Sequence, residues 1–274
     1  MVTRTDYGSD EVRAARSVII ELVHLLGEYR DKIVLIGGWI PGILLPSGSR
    51  PHIGSIDVDI ALDHRRIHED AYRTILELLL ARGYRQGKQP FIFLRDVELS
   101  GRIITVQVDL LAGEYEGTGK SHRHQRVQAV QARKARGCDL AFQFTREVVI
   151  EGELPNGAHD RVSVYVASIV PFMVMKGMAI EERLKEKDAW DVYYCLLNFP
   201  GGVRAMIEEF RPHLGNKLIQ EGLRKLAAKF ASTEHLGPQF VADFEEIGDL
   251  DERAQIQRDA FERVKAFLTG LGIQ

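Results

Sequence analysis

The chain has 274 residues, of which 45% are hydrophobic and 27% are charged, and its formal net charge is −3. These values are typical of a globular protein with one large or two modest domains, and they exclude nucleic-acid binding through a strongly basic overall charge. The longest apolar run, 35–46, is too short for a membrane span, and residues 1–6 lack the apolar core of a signal peptide. Cys138 and Cys195 are isolated, which is typical of reduced cysteines, and we expect a cytoplasmic protein.

Helices and strands are predicted in a mixed order up to about residue 167. Apolar residues with a period of 3.6 predict helices at 10–28 and 66–82. Alternating or short continuous apolar runs predict strands, and Asn156-Gly157 predicts a hairpin between the last two of them. The predicted strands are 33–36, 56–62, 91–95, 102–111, 140–150 and 161–166.

The pattern changes after Pro171, where only helical periodicity remains. We therefore predict an α/β (α+β) fold, with a small mixed β-sheet domain at 1–167 and a helical domain at 168–274. Glycine and proline residues separate the predicted helices of the second domain. These helices are 169–184, 187–198, 202–211, 215–230, 236–247 and 252–269.

Acidic residues lie on the polar faces of two predicted strands. In 55–62 apolar and polar residues alternate, so Asp57 and Asp59 project from one face, and the same alternation in 103–110 puts Asp109 on a polar face. Aspartate is disfavoured in strands and like charges on adjacent strands repel each other. Three such carboxylates favour a site for a divalent cation with oxygen ligands, Mg²⁺ or Mn²⁺. The alternative is a solvated strand face that carries acidic residues by chance.

A glycine pair, Gly37-Gly38, follows the strand 33–36 and precedes a segment, 39–45, that is predicted as a short helix or a tight turn. Glycines let the backbone approach a phosphate, and a helix N-terminus presents free N–H groups to it. The pair can also simply end the strand. Asp63, at the end of the acidic strand, is predicted to cap a helix or to form a turn.

These segments together resemble the nucleotidyltransferase superfamily typified by DNA polymerase β. The resemblance rests on Gly-Gly-Trp at 37–39, Arg-Pro-His at 50–52 and Ser-Ile-Asp-Val-Asp at 55–59, and it is strongest to bacterial AbiEii/AbiGii-type enzymes and to aminoglycoside- and lincosamide-type adenylyltransferases. The stretch 176–193 resembles the AbiEii-like proteins, with a Lys, then an Arg, then Lys-Asp-x-x-Asp-Val-Tyr. Many family members have Ser or Thr where this chain has Trp39.

The resemblance implies Mg²⁺-dependent transfer of a nucleoside monophosphate from an NTP to an acceptor hydroxyl. The acceptor would be RNA or a tRNA end, a protein, or a small hydroxylated molecule, and the protein could be the toxin of a toxin–antitoxin pair with an antitoxin protein as partner. Asp57, Asp59 and Asp109 would be the metal ligands. The other residues that the resemblance places at the nucleotide or in the active site are Gly37, Gly38, Arg50, Ser55, Lys176 and Asp188.

Other interpretations stay open at this point. A non-catalytic nucleotide-binding relative would act as a regulatory or toxin–antitoxin partner, and a metal-dependent phosphatase or nuclease would use the same carboxylates. Lys176 can instead extend to solvent, and Asp188 and Asp191 can belong to a surface ion-pair network. The stretch 117–138 has basic but no acidic residues, so it either binds RNA or a triphosphate or forms a solvated face.

Overall fold

The fold is mixed α/β, as the sequence predicts, with strands and helices up to Ala167 and helices alone from Ile169 onward. No described helix is long and apolar enough to cross a membrane. The computed structural model describes residues 1–48, 50–63, 65–67, 69–113, 124–125 and 132–273.

Packing divides the chain into two units, which we call the sheet unit and the helical unit. The sheet unit consists of 8–40 and 54–168, and the helical unit consists of 1–7, 41–53 and 169–274. Residues 41–53, which connect the glycine pair to the acidic strand, therefore pack with the C-terminal helices. We call 41–53 the connecting segment.

The strands of the sheet unit form one mixed sheet. The sheet runs in the order β3-β4-β5-β2-β1-β9-β8, and β7 pairs with the end of β5 and with β6. β2 runs antiparallel to β1 and parallel to β5. The strands are β1 (Ile33–Ile36), β2 (Asp57–Leu62), β3 (Arg85–Gln86), β4 (Ile92–Leu99), β5 (Arg102–Ala112), β6 (His124–Gln125), β7 (Ala132–Lys134), β8 (Thr145–Glu153) and β9 (His159–Ala167).

Among the described residues of the first 168, four α-helices begin. The first packs against the sheet through a buried apolar stripe that includes Val18, Ile19 and Leu22. It ends at Leu25, and a 3₁₀ helix follows at Gly27–Lys32. The predicted helix 10–28 therefore extends into this 3₁₀ helix. The helices are α1 (Ser9–Leu25), α2 (Ile40–Leu44), α3 (Glu69–Ala81) and α4 (Cys138–Gln143).

The predicted strand 140–150 is wrong in its first part. α4 occupies Cys138–Gln143, and β8 begins only at Thr145. Leu140 and Ala141 are adjacent and both fully buried, which a helix packed against a sheet allows but a strand with one buried face does not. The predicted hairpin is confirmed, since β8 and β9 pair in antiparallel register from Thr145↔Ala167 to Glu153↔His159.

The helical unit contains the six helices that the sequence predicts, with bounds that differ by a few residues. α5 and α8 approach closely because both carry glycine: a Cβ on Gly177 would lie 2.3 Å from the carbonyl oxygen of Gly222. The buried core includes Phe210 and Phe267. The helices are α5 (Ile169–Arg183), α6 (Glu186–Asn198), α7 (Gly202–Phe210), α8 (Lys217–Lys229), α9 (Leu236–Phe244) and α10 (Leu250–Gly270).

Candidate active site

The two aspartates of β2 lie on one face of the strand. Asp57 and Asp59 are half-buried, whereas Val58 and Ile60 between and after them are fully buried. The apolar residues point into the core and therefore fix which face carries the carboxylates, because a slip of one residue would bury both charges.

Asp109 lies beside them on β5. The two strands run parallel, with Asp59 in register with Asp109 and Asp57 in register with Gln107. Residues in register on adjacent strands point to the same side of a sheet. Asp57, Asp59 and Asp109 therefore share one face of two neighbouring strands.

The glycine pair forms a 3₁₀ turn, Gly37–Trp39, directly after β1. Gly37 has φ +75°, and a Cβ at this residue would lie 1.9 Å from Oδ2 of Asp59. Both the backbone conformation and the space thus require glycine. The Asp59 carboxylate lies against the backbone of the turn because Gly37 has no side chain.

Trp39 connects this turn to the acidic strand. Its indole Nε1–H donates a hydrogen bond of 2.8 Å to the backbone carbonyl of Asp57, and its ring is buried. Position 39 therefore stabilises the local backbone.

Hydrogen bonds within the site orient two of the three carboxylates. The Ser55 hydroxyl, on a buried residue, donates to Oδ1 of Asp57, and Nε2 of Gln107 donates to Oδ1 of Asp109 over 2.8 Å. Ser55, which the family resemblance places at the nucleotide, is here a partner of Asp57.

The chemistry of this face fits a hard divalent cation. Asp57, Asp59 and Asp109 offer carboxylate oxygens, the ligands that Mg²⁺ prefers in proteins. Among the residues that the structure describes, no three His, Cys, Asp or Glu side chains are gathered closely enough to form a metal site as they stand. Each of the hydrogen bonds from Ser55 and Gln107 engages one carboxylate oxygen, Oδ1 of Asp57 and Oδ1 of Asp109.

A further carboxylate, Asp139, lies near this face and was not singled out by the sequence. A Cβ on Gly113, just after β5, would lie 2.0 Å from the Asp139 carboxyl. Burial raises the pKa of the Cys138 thiol, and the negative charges of Asp139 and Asp59 raise it further. Cys138 is thus a protonated, buried thiol rather than a nucleophile. Asp139 directly precedes the segment predicted as a strand, 140–150, and no helix was predicted at its position in α4.

A second cluster of charges lies inside the helical unit. Lys176 of α5 lies 2.6 Å from Oδ1 of Asp188 and 2.6 Å from Oδ2 of Asp191, both on α6. Arg183 binds Asp188 with Nε at 2.7 Å and Nη2 at 2.8 Å. Lys176 and both aspartates are buried, so this network is not on the surface, and Lys176 does not extend to solvent.

Lys187 and His52 complete the cluster around Asp191. Lys187 Nζ lies 2.9 Å and 3.1 Å from the two carboxylate oxygens of Asp191, and His52 Nε2 lies 2.9 Å from Oδ1. Neither His52 nor Asp191 has any exposed side-chain surface. No local pattern indicates this pair, because the two residues are 139 positions apart.

The ionisation of these groups follows from their neighbours. Burial lowers the pKa of His52 to about 4, and the positive charge of Lys187 adds to this effect. Burial alone would raise the pKa of the Asp191 carboxyl, but Lys176 and Lys187 hold it well below its ordinary value. Burial alone would likewise lower the pKa of Lys176, but Asp188 and Asp191 raise it. At neutral pH the cluster therefore contains charged lysines and aspartates and a neutral histidine.

Arg50 lies in the connecting segment and is exposed. Its backbone carbonyl accepts a hydrogen bond of 2.9 Å from the hydroxyl of Tyr194 on α6. Arg50 lines a cavity of about 540 Å³ in the helical unit, together with Tyr193, Asn198 and Glu252. Most of the basic stretch 117–138 lies outside the described residues.

Comparison with known proteins adds a likeness of fold. No protein-family model matches the chain, and no curated protein matches it significantly in sequence. The crystal structure of JHP933 from Helicobacter pylori is similar, with a TM-score of 0.51 and 11% identity over 97% of this chain and 94% of that chain. At this identity the likeness concerns the fold alone.

Proposed function

We propose that the protein is a nucleotidyltransferase that moves a nucleoside monophosphate from an NTP to an acceptor hydroxyl, with pyrophosphate as the leaving group. The observation that carries the proposal is the shared face of Asp57, Asp59 and Asp109, with Asp59 and Asp109 in register and Asp59 packed against Gly37. Like charges on neighbouring strands destabilise a sheet, so three carboxylates on one face are best explained by a bound cation.

Each residue has a defined part in this proposal. Asp57, Asp59 and Asp109 would hold Mg²⁺, and the Gly37-Gly38 turn would admit a phosphate close to the backbone. A bound Mg²⁺ would neutralise triphosphate charge and lower the pKa of the acceptor hydroxyl. Ser55 and Gln107, which now donate to Asp57 and Asp109, would keep these carboxylates oriented before the cation binds.

Lys176, Asp188 and Arg50 enter the proposal as nucleotide-site residues through the family resemblance. Lys176 is buried and binds Asp188 and Asp191, so its contact with a nucleotide phosphate stays a prediction from the resemblance. Arg50 has an exposed guanidinium suited to an anionic group. The assignments of Lys176, Asp188 and Arg50 are predictions that NTP binding to variants at these positions will test.

The test combines labelled transfer with direct cation binding. The purified protein is incubated with each radiolabelled NTP, total RNA and cell lysate, and the label is followed into RNA, protein or small molecules. Asp57→Ala and Asp59→Ala should abolish transfer and Mn²⁺ binding measured by electron paramagnetic resonance. The matched control is Glu98→Gln, which removes a carboxylate from an exposed position on β4 of the same sheet. Near-wild-type transfer by either alanine variant would refute the assignment.

A second candidate, a non-catalytic nucleotide-binding protein, is favoured by the hydrogen bonds that Asp57 and Asp109 accept from Ser55 and Gln107 within the chain. In that case the wild-type protein would bind an NTP, measured by calorimetry, and no acceptor fraction would carry label. Regulation of a partner, including a toxin or antitoxin, would then be its role.

A further inference from the structure

The cavity that Arg50 lines lies entirely within the helical unit. Every residue of its wall belongs to 1–7, 41–53 or 169–274. Its volume of about 540 Å³ is in the range of small-molecule binding sites, about 300–1,000 Å³. Protein interiors rarely leave a space of this size unfilled. We call it the helical-unit cavity, and the side chains of its wall indicate what it can bind.

One face of α6 forms much of the wall, and the polar ends of its aromatic side chains are fixed. The indole N–H of Trp190 donates to Glu245 over 2.5 Å, and the hydroxyl of Tyr193 donates to Asp259 over 2.7 Å. A wall that is held in place before a ligand arrives lowers the entropy cost of binding. The α6 residues that line the cavity are Trp190, Tyr193, Tyr194, Leu197 and Asn198.

A cation of the chain itself already lies at this wall. The guanidinium of Arg4 is 5.8 Å from the centre of the Trp190 ring, and its Nη1 is 3.1 Å from Oε1 of Glu245. An aromatic ring beside a carboxylate is a favourable place for an organic cation. Glu252, a second carboxylate of the same wall, offers similar chemistry to the cation of a ligand.

Two charged side chains of opposite sign are available to a ligand. Arg50 and Glu252 are both exposed, and within the described part of the chain neither side chain forms an ion pair or a hydrogen bond. The backbone of Arg50 is held in place, since its carbonyl accepts a hydrogen bond of 2.9 Å from Tyr194. A guanidinium pairs with a carboxylate, and a carboxylate pairs with an ammonium group. The wall therefore fits a ligand with one anionic and one cationic group.

The apolar part of the wall favours a ligand with an apolar body. Contact with such side chains removes apolar surface from water. The negative charge of Glu252 would repel a triphosphate, which carries no cationic group to pair with it. The apolar residues are Pro51, Leu197, Ile247 and Ile256.

We propose that the helical-unit cavity binds a free amino acid with an apolar side chain, for which leucine is the probe. The α-carboxylate pairs with Arg50, the α-ammonium group pairs with Glu252, and the side chain packs against the apolar residues. This inference goes beyond the proposed function, because it uses the helical unit alone. It gives Arg50 a carboxylate as its ligand, where the family resemblance gives it a nucleotide.

The first test compares leucine with two analogues that each lack one charge. Binding to the full chain is followed by calorimetry and by the fluorescence of Trp190; Trp39, the second tryptophan, lies in the sheet unit. Isoamylamine lacks the carboxylate of leucine, and isocaproate lacks its ammonium group. Each analogue should bind about tenfold more weakly than leucine, as expected for the loss of one charge-assisted hydrogen bond.

The second test removes the two charges from the protein. Arg50→Gln should weaken leucine binding about tenfold and leave isoamylamine binding unchanged, because this amine has no carboxylate for Arg50. Glu252→Gln should weaken leucine binding to a similar extent without weakening that of isocaproate. Arg258→Gln and Glu262→Gln remove exposed charges of α10 outside the cavity and should leave leucine binding unchanged.

The outcomes decide between an amino acid and a nucleotide at Arg50. Failure of leucine, isoleucine, valine, methionine and phenylalanine to bind would overturn the proposal, and so would an equal loss of leucine and isoamylamine binding in Arg50→Gln. ATP binding that depends on Arg50, with no binding of amino acids, would assign Arg50 to the nucleotide instead. Leucine binding that follows the expected charge pattern supports the proposal even if the protein transfers no label.

Discussion

The neutral His52 predicts a loss of stability in mildly acidic solution. In the folded protein His52 stays neutral down to a pKa of about 4, because burial and the positive charges of Lys187 and Lys176 outweigh the opposing effect of Asp191. In the unfolded chain it takes up a proton below its ordinary pKa of 6.5. The unfolded state thus binds more protons between these values, and the free energy of unfolding falls as the pH decreases from 6.5 to about 4.

The size of the effect follows from the interval between the two pKa values. At about 1.4 kcal/mol per pKa unit, the whole interval corresponds to about 3 kcal/mol, and about 2 kcal/mol of it is lost by pH 4.5. The pKa values of Asp188 and Asp191 are lowered from 3.8, so their own loss of stabilisation lies below this window.

The assay is urea unfolding at constant ionic strength between pH 7 and pH 4.5. His52→Gln keeps a donor for Asp191 but does not titrate, so its stability should fall by about 2 kcal/mol less than that of the wild type over this range. His159→Gln, at an exposed position of the sheet unit, controls for the loss of a histidine. Parallel pH profiles for wild type and His52→Gln would show that His52 is not held neutral in the fold.

Three further substitutions test the candidate site and the buried cluster. Gly37→Ala brings a methyl group against the Asp59 carboxylate and should weaken Mn²⁺ binding about tenfold or more. The control Gly101→Ala, with a similar φ of +74° and no neighbour within 4 Å, imposes only the backbone strain. Equal Mn²⁺ affinities of the Gly37→Ala and Gly101→Ala variants would contradict the role of Gly37. Asp109→Asn keeps the shape of the side chain and should lower the turnover of label transfer far more than it lowers NTP affinity. Steady-state kinetics measure this difference, and an equal effect on turnover and affinity would argue against a catalytic cation at Asp109. Lys176→Ala leaves two buried aspartates short of a cation and should lower the free energy of unfolding in urea by about 3–5 kcal/mol; wild-type stability of this variant would contradict the buried network. Lys176→Ala should also weaken NTP binding, and Lys176→Arg should restore that binding only in part.

Local periodicity was enough to predict the elements that build the candidate site. The alternation of apolar and polar residues around Asp57, Asp59 and Asp109 fixes their faces, and the burial of Val58, Ile60 and Val108 follows that alternation. The helices after Pro171 were also predictable, because their apolar stripes repeat with the helical period. Whether the site binds a metal and a nucleotide stays a prediction.

The remaining features depend on contacts that a local pattern does not encode. The apolar run in α4 is compatible with either a strand or a helix, so local periodicity alone does not identify the helix. For Asp188 and Asp191 a surface ion-pair network was one of the two interpretations, and it is wrong about the surface, since cations from two helices neutralise both carboxylates in the core. The pairing of His52 with Asp191 joins residues that are 139 positions apart and became visible only in the fold.

Trp39 is explained by the same local geometry that makes Gly37 necessary. A Ser or Thr at position 39 has a short side chain for a nearby phosphate, whereas the indole of Trp39 reaches across to the carbonyl of Asp57. The turn is therefore attached to the acidic strand at two points: the Gly37 backbone packs against the Asp59 carboxylate, and Trp39 holds the Asp57 backbone. If a nucleotide phosphate binds at this turn, its contacts must come from backbone N–H groups and a bound cation rather than from the side chain at position 39, which is already engaged.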